Sequence, residues 1–430
     1  MLTRRHALGA AGATALGLGA TACGADPDAF AQGPIDFDTD GAELSGSIRL
    51  LTPDFVGDAR PEFLAMIDAF HEQHPDVTVV VDQTDWNKLN EKMSTSISGG
   101  LIPDVIMTGV GWTPPFAHMN IFGEIPRDFV DTLGFDESVL ASTLYDGGHY
   151  SLPIGLDCRF IVYDKESFAA RGITEHPTTM EEFSLIVDEL TGDGVVGLDL
   201  LSGNVRQAWI HLLYAFGGTL FSDDGLQPAM VEEPGALATQ WILDRMDTGG
   251  VDYALQAGEG QPSPFQQGRA AMQLQSTGGW NQWVDMTPAL TEDDAVGMFI
   301  LPGTSGVDPV MFLGGTNVSI SRLTQNQPAA AALVKHLVSP EMLARGNAAS
   351  AKVPPTADIP ETPEIRDNHL SSFALENLES AGAAEGGTAA WMSIRGNIQA
   401  PIESCLTGGS TVEEMLSDMR TLCDDAIGRL

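Results

Sequence analysis

The feature that most restricts the fold of this chain is an alternation of short β-type runs with helical segments. Residues 47–51 are a short strand candidate, and 61–74 place apolar side chains on one helical face. A run of strong β propensity follows at 77–81, a second helical pattern spans 86–97, and a third β-type run spans 103–107. Strands that alternate with helices predict an α/β fold with a largely parallel sheet.

A second alternation begins near Arg159. Residues 160–163 predict a strand, and Thr179 with Glu182 at capping-box spacing predicts a helix over 180–190. Residues 297–301 predict another strand. Further helical patterns span 209–216, 234–247, 328–338, 340–348, 389–405 and 411–427. About 385 residues lie beyond the N-terminal segment, which is enough for two lobes of ordinary size.

The N-terminal segment reads as an export signal. Arg4 and Arg5 precede a short stretch rich in small apolar residues at 7–22, which is typical of a twin-arginine secretory signal. Small residues before Cys23 match the cleavage site of a lipoprotein, so we expect a lipid on the Cys23 thiol; ordinary cleavage nearby with an unmodified thiol is the alternative. Residues 23–44 are rich in Gly, Pro, Ala and Asp and predict a flexible tether.

The charge balance argues against nucleic acid as a partner. The chain carries 59 acidic residues against 21 Lys and Arg, for a net charge of −38. The sequence shows no run of Lys and Arg that would contact the phosphates of a nucleic acid. We interpret the acidity as a contribution to solubility or as salt adaptation.

The three cysteines after Cys23 predict no metal site. Cys158, Cys405 and Cys423 lack the spacing of metal ligands. Outside the membrane one disulfide is possible, with Cys405 and Cys423 as the first candidate pair, and three buried free thiols are the alternative. No cofactor is implied.

An ordered set of motifs resembles the extracellular solute-binding proteins of family 1, the maltose-binding-protein-like lipoproteins of carbohydrate ABC importers. The motifs cover nearly the whole chain after the signal. They are IDAFHEQHP at 67–75, SGGLIPDV at 98–105, YSLPIG at 150–155, YDKE at 163–166, PTTMEEF at 177–183, FQQGRAAM at 265–272, GGW at 278–280, LPG at 301–303 and GG at 314–315.

The resemblance implies a periplasmic-binding-protein-like fold of type II. Two α/β lobes, each a mostly parallel sheet flanked by helices, would be joined by a hinge around an interlobe cleft. We expect a signal peptide at 1–22, a lipid-anchored tether at 23–44, lobe 1 at 45–156 plus 311–350, and lobe 2 at 157–310 plus 351–430. Closure around a bound ligand would stabilise the closed form.

The family also implies the function. We expect the extracytoplasmic substrate-binding component of an ABC importer, which binds a mono- or oligosaccharide reversibly and delivers it to transmembrane permease subunits. The protein would be a monomer on the outer face of the cytoplasmic membrane, attached through its lipid anchor only. No catalytic residue and no nucleic-acid partner is expected.

A sugar needs aromatic faces for its C–H surface and polar groups for its hydroxyls, which points to specific candidates. The resemblance makes Trp280 the first candidate for stacking and Trp391 the second. Trp112 follows a glycine-rich loop, and Trp86 follows Asp85 at a predicted helix start, where capping is the alternative role of the aspartate.

Candidate polar groups lie mainly in the motifs. Asp157 ends a segment where maltose-binding protein has a sugar-binding glutamate, and Asp54 follows the first strand. Gly314 and Gly315 would either allow close approach of backbone to a ligand or form a simple turn. Arg395, one helical turn after Trp391, could fork onto vicinal hydroxyls, a carboxylate or a phosphate. Arg159 and Arg206 are further cations of the same kind.

Two alternatives remain open from the sequence. Binders of glycerol phosphates and other polar solutes share the fold, and a phosphate would need converging basic groups. A secreted carbohydrate-active hydrolase is the alternative of another class. The chain lacks a Gly-x-Ser-x-Gly motif and a P-loop, and His71 and His74 lack zinc-protease spacing.

Overall fold

A computed structural model describes residues 33–55, 59–258 and 260–430 of the chain. Residues 33–430 belong to one compact unit. The predicted signal peptide, the lipidation site Cys23 and the first part of the predicted tether lie outside the described residues. Within the described ranges, the helices are too short or too polar to cross a membrane.

The strands are mostly short, and two are long. They are β1 Gly46–Pro53, β2 Val77–Thr84, β3 Val105–Gly109, β4 Leu144–Tyr145, β5 Gly148–His149, β6 Leu152–Asp164, β7 Val196–Asp199, β8 Ala270–Ser276, β9 Val296–Phe299, β10 Met311–Ile320 and β11 Ala381–Ala384.

Helices occupy most of the intervening chain. They are α1 Ala59–Gln73, α2 Trp86–Ser98, α3 Thr113–His118, α4 Arg127–Asp131, α5 Glu137–Leu140, α6 Lys165–Ala170, α7 Met180–Glu189, α8 Val205–Ala215, α9 Glu233–Asp247, α10 Trp280–Met286, α11 Gln327–Leu337, α12 Pro340–Ser350, α13 Pro363–Arg366, α14 His369–Glu376, α15 Trp391–Ile394, α16 Gln399–Leu406 and α17 Val412–Ile427. Polar caps fix several starts; Thr411 and Glu414 form a capping box at α17.

One mixed sheet runs through the molecule in the order β2-β1-β3-β10-β6-β8-β7. At one end β1 pairs in parallel with β2 and β3, and at the other β7 pairs in parallel with β8. Between them β10 lies antiparallel to both β3 and β6, and β6 lies antiparallel to β8 and β9. The predicted parallel α/β units therefore lie at the two ends of the sheet, and antiparallel strands join them.

Strands β6 and β10 are the connection between the two halves. The first part of β6 pairs with β10 up to Arg159, and from Arg159 onward it pairs with β8 and β9. The exchange of partners falls beside Asp157, where the sequence predicts a crossing between lobes. The predicted lobe boundaries themselves stay predictions.

Two large apolar cores lie on either face of these shared strands. One includes β1, α1, α11 and α12, and the other includes α7, α8, α9 and α17. Phe160 and Val162 of β6 belong to the first core, whereas Ile161 between them belongs to the second. Because side chains alternate along a strand, β6 contributes to both cores.

The structure contains several elements that were not predicted from the sequence. Strands β8 and β10 were not predicted, since glycines interrupt or flank their apolar residues. The predicted helix over 389–405 is two helices, α15 and α16, because the chain turns at Gly396, a poor helix former.

The predicted tether ends earlier than residue 44. Ile35 and Phe37 are buried in the first core, and the Ile35 N–H donates to the Glu124 carbonyl at 2.7 Å. Phe37 stacks on Phe129 with ring centroids 3.9 Å apart. Ile35 and Phe37, which alternate with aspartates, are enough to anchor this segment. Two apolar residues are too few to show a periodic pattern in the sequence, so the segment was not predicted to be structured.

Candidate ligand-binding cleft

A cleft of about 340 Å³ opens where β6 and β10 exchange partners. Its volume is within the range of small-molecule sites. The lining residues come from distant parts of the chain and include Trp86, Asn87, Gly109, Val110, Trp112, Asp157, Asn204, Arg206, Gln207, Phe312, Leu313, Gly314, Gly315, Lys352, Glu385 and Arg395. Among the described residues, His, Cys, Asp and Glu side chains form no cluster of three or more that could hold a metal ion.

Asp157 of β6 is held in place by three donors from the other half of the sheet. Its Oδ1 accepts hydrogen bonds from the Ser276 hydroxyl, from the Thr277 hydroxyl at 3.3 Å and from the Gly278 N–H at 3.1 Å. Three donors to one oxygen fix the orientation of the Asp157 side chain. These bonds connect the residues just before α10 to strand β6.

Lys352 approaches Asp157 from the segment after α12. Its Nζ donates to the Thr316 hydroxyl at 3.0 Å. Burial lowers the pKa of Lys352, and the nearby negative charge of Asp157 opposes that shift. The ammonium group retains donors that a ligand hydroxyl or an anion could accept.

Gly314 and Gly315 belong to β10 rather than to a turn. Gly315 has φ of +125°, and a Cβ there would lie 2.3 Å from the Gly155 carbonyl oxygen. The pairing of β10 with β6 shifts register immediately after this point, between Thr316 and Asn317. Glycine is therefore required for the two shared strands to approach each other.

On the opposite side of the cleft, the carboxylate of Glu385 forms ion pairs with two guanidinium groups. Glu385 Oε1 accepts from Arg206 Nε at 3.1 Å and Nη2 at 2.7 Å. Its Oε2 lies 3.6 Å from Arg395 Nε. The side chains of Arg206 and Glu385 are only 9% and 6% exposed. A third bond, from Arg206 Nη1 to the Arg395 carbonyl, closes this cluster, which carries a net charge of +1.

Two tryptophans form the aromatic wall. Trp112 is 2% exposed and packs in a small third core with Phe116 and Phe122. The Arg395 guanidinium lies over the Trp112 ring at 5.3 Å from its centroid, a cation–π geometry. Trp86 is 37% exposed, so it offers the larger free aromatic surface.

Six of the ten predicted ligand residues line the cleft. They are Trp86, Trp112, Asp157, Gly314, Gly315 and Arg395. The other four lie elsewhere in the described structure. Asp54 is exposed at the end of β1, and Asp85 caps α2 by accepting from the Asn87 N–H at 2.8 Å. The capping role stated as the alternative for Asp85 is the one observed.

The two tryptophans favoured by the resemblance are packed rather than open. Trp391 is fully buried in the second core, edge-on to Phe221. Trp280 is half-buried and contacts Trp283 and His369, with ring centroids 6.4 and 5.3 Å away. Neither is among the residues that line the cleft. A tryptophan at a helix start can pack into the core as readily as it can face a ligand, and the sequence does not distinguish the two.

Several lining residues were not predicted from the sequence. Glu385 lies in a Gly- and Ala-rich segment that carries no helical or strand period, and Lys352 follows the left-handed residue Ala351. Asn204 caps α8, whose first turn brings Arg206 and Gln207 to the cleft. A buried cation invites a search for a partner carboxylate, but the partner of Arg206 is 179 residues away.

Behind Phe312 lies a buried, neutral histidine. His211 Nε2 donates to the Val310 carbonyl at 2.7 Å, which leaves Nδ1 buried without a partner. Burial lowers the pKa of His211 to about 4. The Arg159 guanidinium lies over the Phe312 ring at 5.7 Å, and its positive charge also disfavours protonation of His211.

All three cysteines that the sequence left open are free and buried in the described structure. Cys405 and Cys423 belong to the second core, so the candidate disulfide between them is absent and the alternative of three free thiols is the one observed. Burial raises the pKa of Cys423 to about 12 and raises that of Cys158 beyond its ordinary range.

Comparison with curated proteins finds remote relatives. The diacetylchitobiose binding protein DasA of Streptomyces coelicolor is 25% identical over 94% of this chain and 93% of its own length. A Brucella abortus protein assigned as a binding protein is 24% identical over 57% of this chain. That match spans 62% of the Brucella protein, so it covers part of its length.

Comparison with solved structures shows the fold. The sugar-binding protein MalE of Xanthomonas citri superposes with a TM-score of 0.76 at 19% identity, over 89% of this chain and 98% of that one. The GacH receptor of Streptomyces glaucescens, solved unliganded and with acarbose, gives 0.74 at 21% identity over 90% and 99%. The fold class predicted from the sequence, a two-lobed binding-protein fold, is confirmed.

The family is established by the sequence itself. The model of the bacterial extracellular solute-binding proteins matches residues 57–344, which is more than half of the chain. This range contains the shared strands and both glycines of β10. The chain therefore belongs to the bacterial extracellular solute-binding protein family.

Proposed function

We propose that this protein binds a mono- or oligosaccharide in the cleft and delivers it to an ABC importer. The observation that carries the proposal is the composition of the cleft. The partly exposed indole of Trp86 lines the same cleft as charged and amide side chains, including those of Asp157, Asn204 and Lys352. Sugars present an apolar face and a rim of hydroxyls, which match these two kinds of group.

Each lining group has a proposed role. Trp86 stacks on a sugar ring, and Trp112 holds Arg395 in position through its ring face. Asp157 accepts and Lys352 donates bonds to hydroxyls on the side of the cleft formed by β6 and β10, which we call the hinge side. The Arg206–Glu385–Arg395 cluster presents fixed charges on the other side. Gly314 and Gly315 leave space for the ligand to approach the backbone of β10.

The relatives support a carbohydrate. The names of the curated and solved relatives refer to diacetylchitobiose binding, sugar binding and complexes with acarbose. Those ligands belong to those proteins. Because identity is only 19–25%, we extend only the class of ligand to this chain.

The same proposal includes an extracytoplasmic location and a membrane partner. We propose export by the N-terminal signal, lipidation at Cys23 and delivery as a monomer to permease subunits driven by an ATPase. A lipoprotein of Streptomyces antibioticus, 24% identical over 46% of this chain, is among the relatives. Mass spectrometry of the protein recovered from membranes tests the lipid at Cys23.

A phosphorylated solute is the second candidate ligand. Three basic side chains, Arg206, Arg395 and Lys352, line the cleft against two carboxylates, Asp157 and Glu385. The excess positive charge lies inside a protein of net charge −38, so it is a local feature. An anionic group on the ligand would complement it.

A hydrolase is less consistent with this cleft. Glycosidases use two carboxyl groups that face the scissile bond. Here Asp157 accepts three hydrogen bonds and Glu385 is shared by two arginines. Both carboxylates are engaged by neighbours that hold the cleft together, so we propose binding without turnover.

A thermal-shift screen tests the proposal. The ligands are mono-, di- and trisaccharides and glycerol phosphates, because a ligand that binds the folded state raises Tm by mass action. A shift with a related set of sugars supports the proposal. A shift with phosphate esters alone moves the assignment to the second candidate. Consumption of an oligosaccharide beyond one equivalent per protein contradicts binding without turnover.

A further inference from the structure

A small side cavity adjoins the cleft near the shared strands. Its volume is about 50 Å³, and its wall is mainly apolar. Phe63 and Met66 of α1, Met107 of β3 and Met342 of α12 contribute to that wall. Lys352 lines both the side cavity and the cleft, and Gly155 and Thr316 of the side cavity pair with each other across β6 and β10.

One buried acceptor in this wall has no partner. Asn347 is 2% exposed, and its Nδ2 donates to the Ile154 carbonyl at 2.9 Å and to the Leu343 carbonyl at 2.8 Å. These two bonds fix the orientation of the amide, because a flip would place its oxygen against two carbonyl oxygens. Asn347 Oδ1 is then a buried acceptor without a hydrogen bond in the described structure.

An unsatisfied buried acceptor is costly, and a ligand N–H that reaches it recovers the loss. Gly155 keeps the space beside Oδ1 open, since a Cβ at Gly155 would lie 2.7 Å from that oxygen. The volume of 50 Å³ holds roughly three to five atoms of water size, at about 10–15 Å³ for each. The cavity therefore fits a small group with one N–H donor and an apolar end.

We propose that the side cavity receives the acetamido group of a 2-acetamido sugar bound in the cleft. The methyl group packs against the methionines and Phe63, and the amide N–H donates to Asn347 Oδ1. The acetamido carbonyl accepts from Lys352 Nζ, which donates to Thr316 in the described structure. The inference rests on the proposed binding of a carbohydrate and names the class of sugar.

The test compares matched sugars that differ only at this group. Calorimetric titration of the full chain uses N-acetylglucosamine against glucose, N-acetylgalactosamine against galactose, and diacetylchitobiose against cellobiose. In the pair that binds, we expect the acetamido member to bind about 10-fold or more tightly, the factor that one satisfied buried hydrogen bond supplies. Equal affinity, or tighter binding of the hydroxyl member, overturns the inference and leaves sugar binding intact. Failure of all six, with binding of phosphate esters, overturns the proposed sugar function and this inference with it.

Gly346→Ala separates the cavity from the rest of the site. A Cβ at Gly346 meets Met66 at ordinary contact distance, 3.5 Å, so the variant folds while it fills part of the cavity. We expect the preference for the acetamido sugar to fall below about 3-fold, with the affinity for the hydroxyl sugar unchanged. Glu341→Ala, exposed on the same helix, is the matched control and keeps the preference. A preference that survives Gly346→Ala contradicts the placement in this cavity.

Discussion

The two sides of the cleft are built by different means. On the hinge side, Asp157, Gly314 and Gly315 lie on paired strands, and hydrogen bonds from neighbouring backbone and hydroxyl groups fix them. On the far side, Arg206 and Glu385 hold each other through charge, across 179 residues of chain. The hinge side depends on backbone geometry, whereas the far side depends on the balance of buried charges.

This difference separates the expected responses to substitution. Loss of a buried charge partner leaves the remaining charge without compensation. Loss of a glycine at a close approach of two strands forces the backbone apart. The first effect is electrostatic and the second is steric, so each side can be broken without changing the other.

The largest effect is expected from Glu385→Gln. The substitution leaves Arg206 and Arg395 beside each other without a carboxylate in a buried site. We expect the free energy of unfolding to fall by about 3–5 kcal/mol, the usual cost of breaking a buried ion pair. Urea denaturation measures the change. Glu361→Gln, which removes one of the two acidic partners of the exposed Arg366, should change stability by less than about 1 kcal/mol. Equal effects for both variants would contradict the buried cluster.

The next largest effect is a dependence of stability on pH through His211. Its pKa is about 4 in the folded protein and 6.5 in the ordinary state, so the unfolded chain takes up the proton first as pH falls. The contribution of His211 to stability is therefore present above pH 6.5 and is lost towards pH 4, by roughly 3 kcal/mol. Subtracting the pH–stability curve of His211→Gln isolates this contribution from that of the carboxyl groups. Parallel curves would show that His211 is not protected from protonation.

Gly315→Ala tests the hinge side. The new methyl group would contact the Gly155 carbonyl and the Leu156 backbone, at a φ that side chains rarely adopt. We expect a loss of about 2 kcal/mol in unfolding free energy, in the range of backbone strain. Gly396→Ala is the control, because nothing lies within 4 Å of its Cβ position. A Gly315→Ala protein as stable as this control would contradict the close approach of β6 and β10.

The smallest effect is expected on affinity, at the aromatic wall. Trp86→Ala should weaken binding of the sugar found in the thermal-shift screen by about 1–2 kcal/mol, because an exposed stacking face is lost. Trp280→Ala is the informative comparison, since the sequence predicts Trp280 as the platform. A larger loss at Trp280 than at Trp86, with both variants folded, would restore the prediction from the sequence.

The sequence predicted the parts of the fold that repeat locally. The alternation over 47–107 predicted β1, α1, β2, α2 and β3 within a few residues, because propensity and periodicity agree there. The motifs that carry the family resemblance also suggested Asp157, Gly314 and Gly315 as ligand residues, and all three line the cleft. Strand β10 was not predicted from the sequence, because its two glycines permit a close contact between strands that no local pattern reveals.

The ion pairs on the charged side of the cleft could not be predicted from the sequence for a related reason. Arg206 gives no sign in the sequence of which of 59 acidic residues it will meet. Trp391 was predicted at the ligand and is buried instead, because an aromatic side chain suits either environment equally. Tertiary packing decides these positions.

Cys158 lies on β6 next to Asp157, and its side chain is fully buried in the first core. A thiol reacts as the thiolate, and burial raises the pKa of Cys158, so a labelling reagent can modify it only when the strand opens. The rate of modification of Cys158 therefore measures how often the first core opens at β6. A ligand that bridges both sides of the cleft should lower this rate at Cys158, with Cys405 and Cys423 of the second core as internal references.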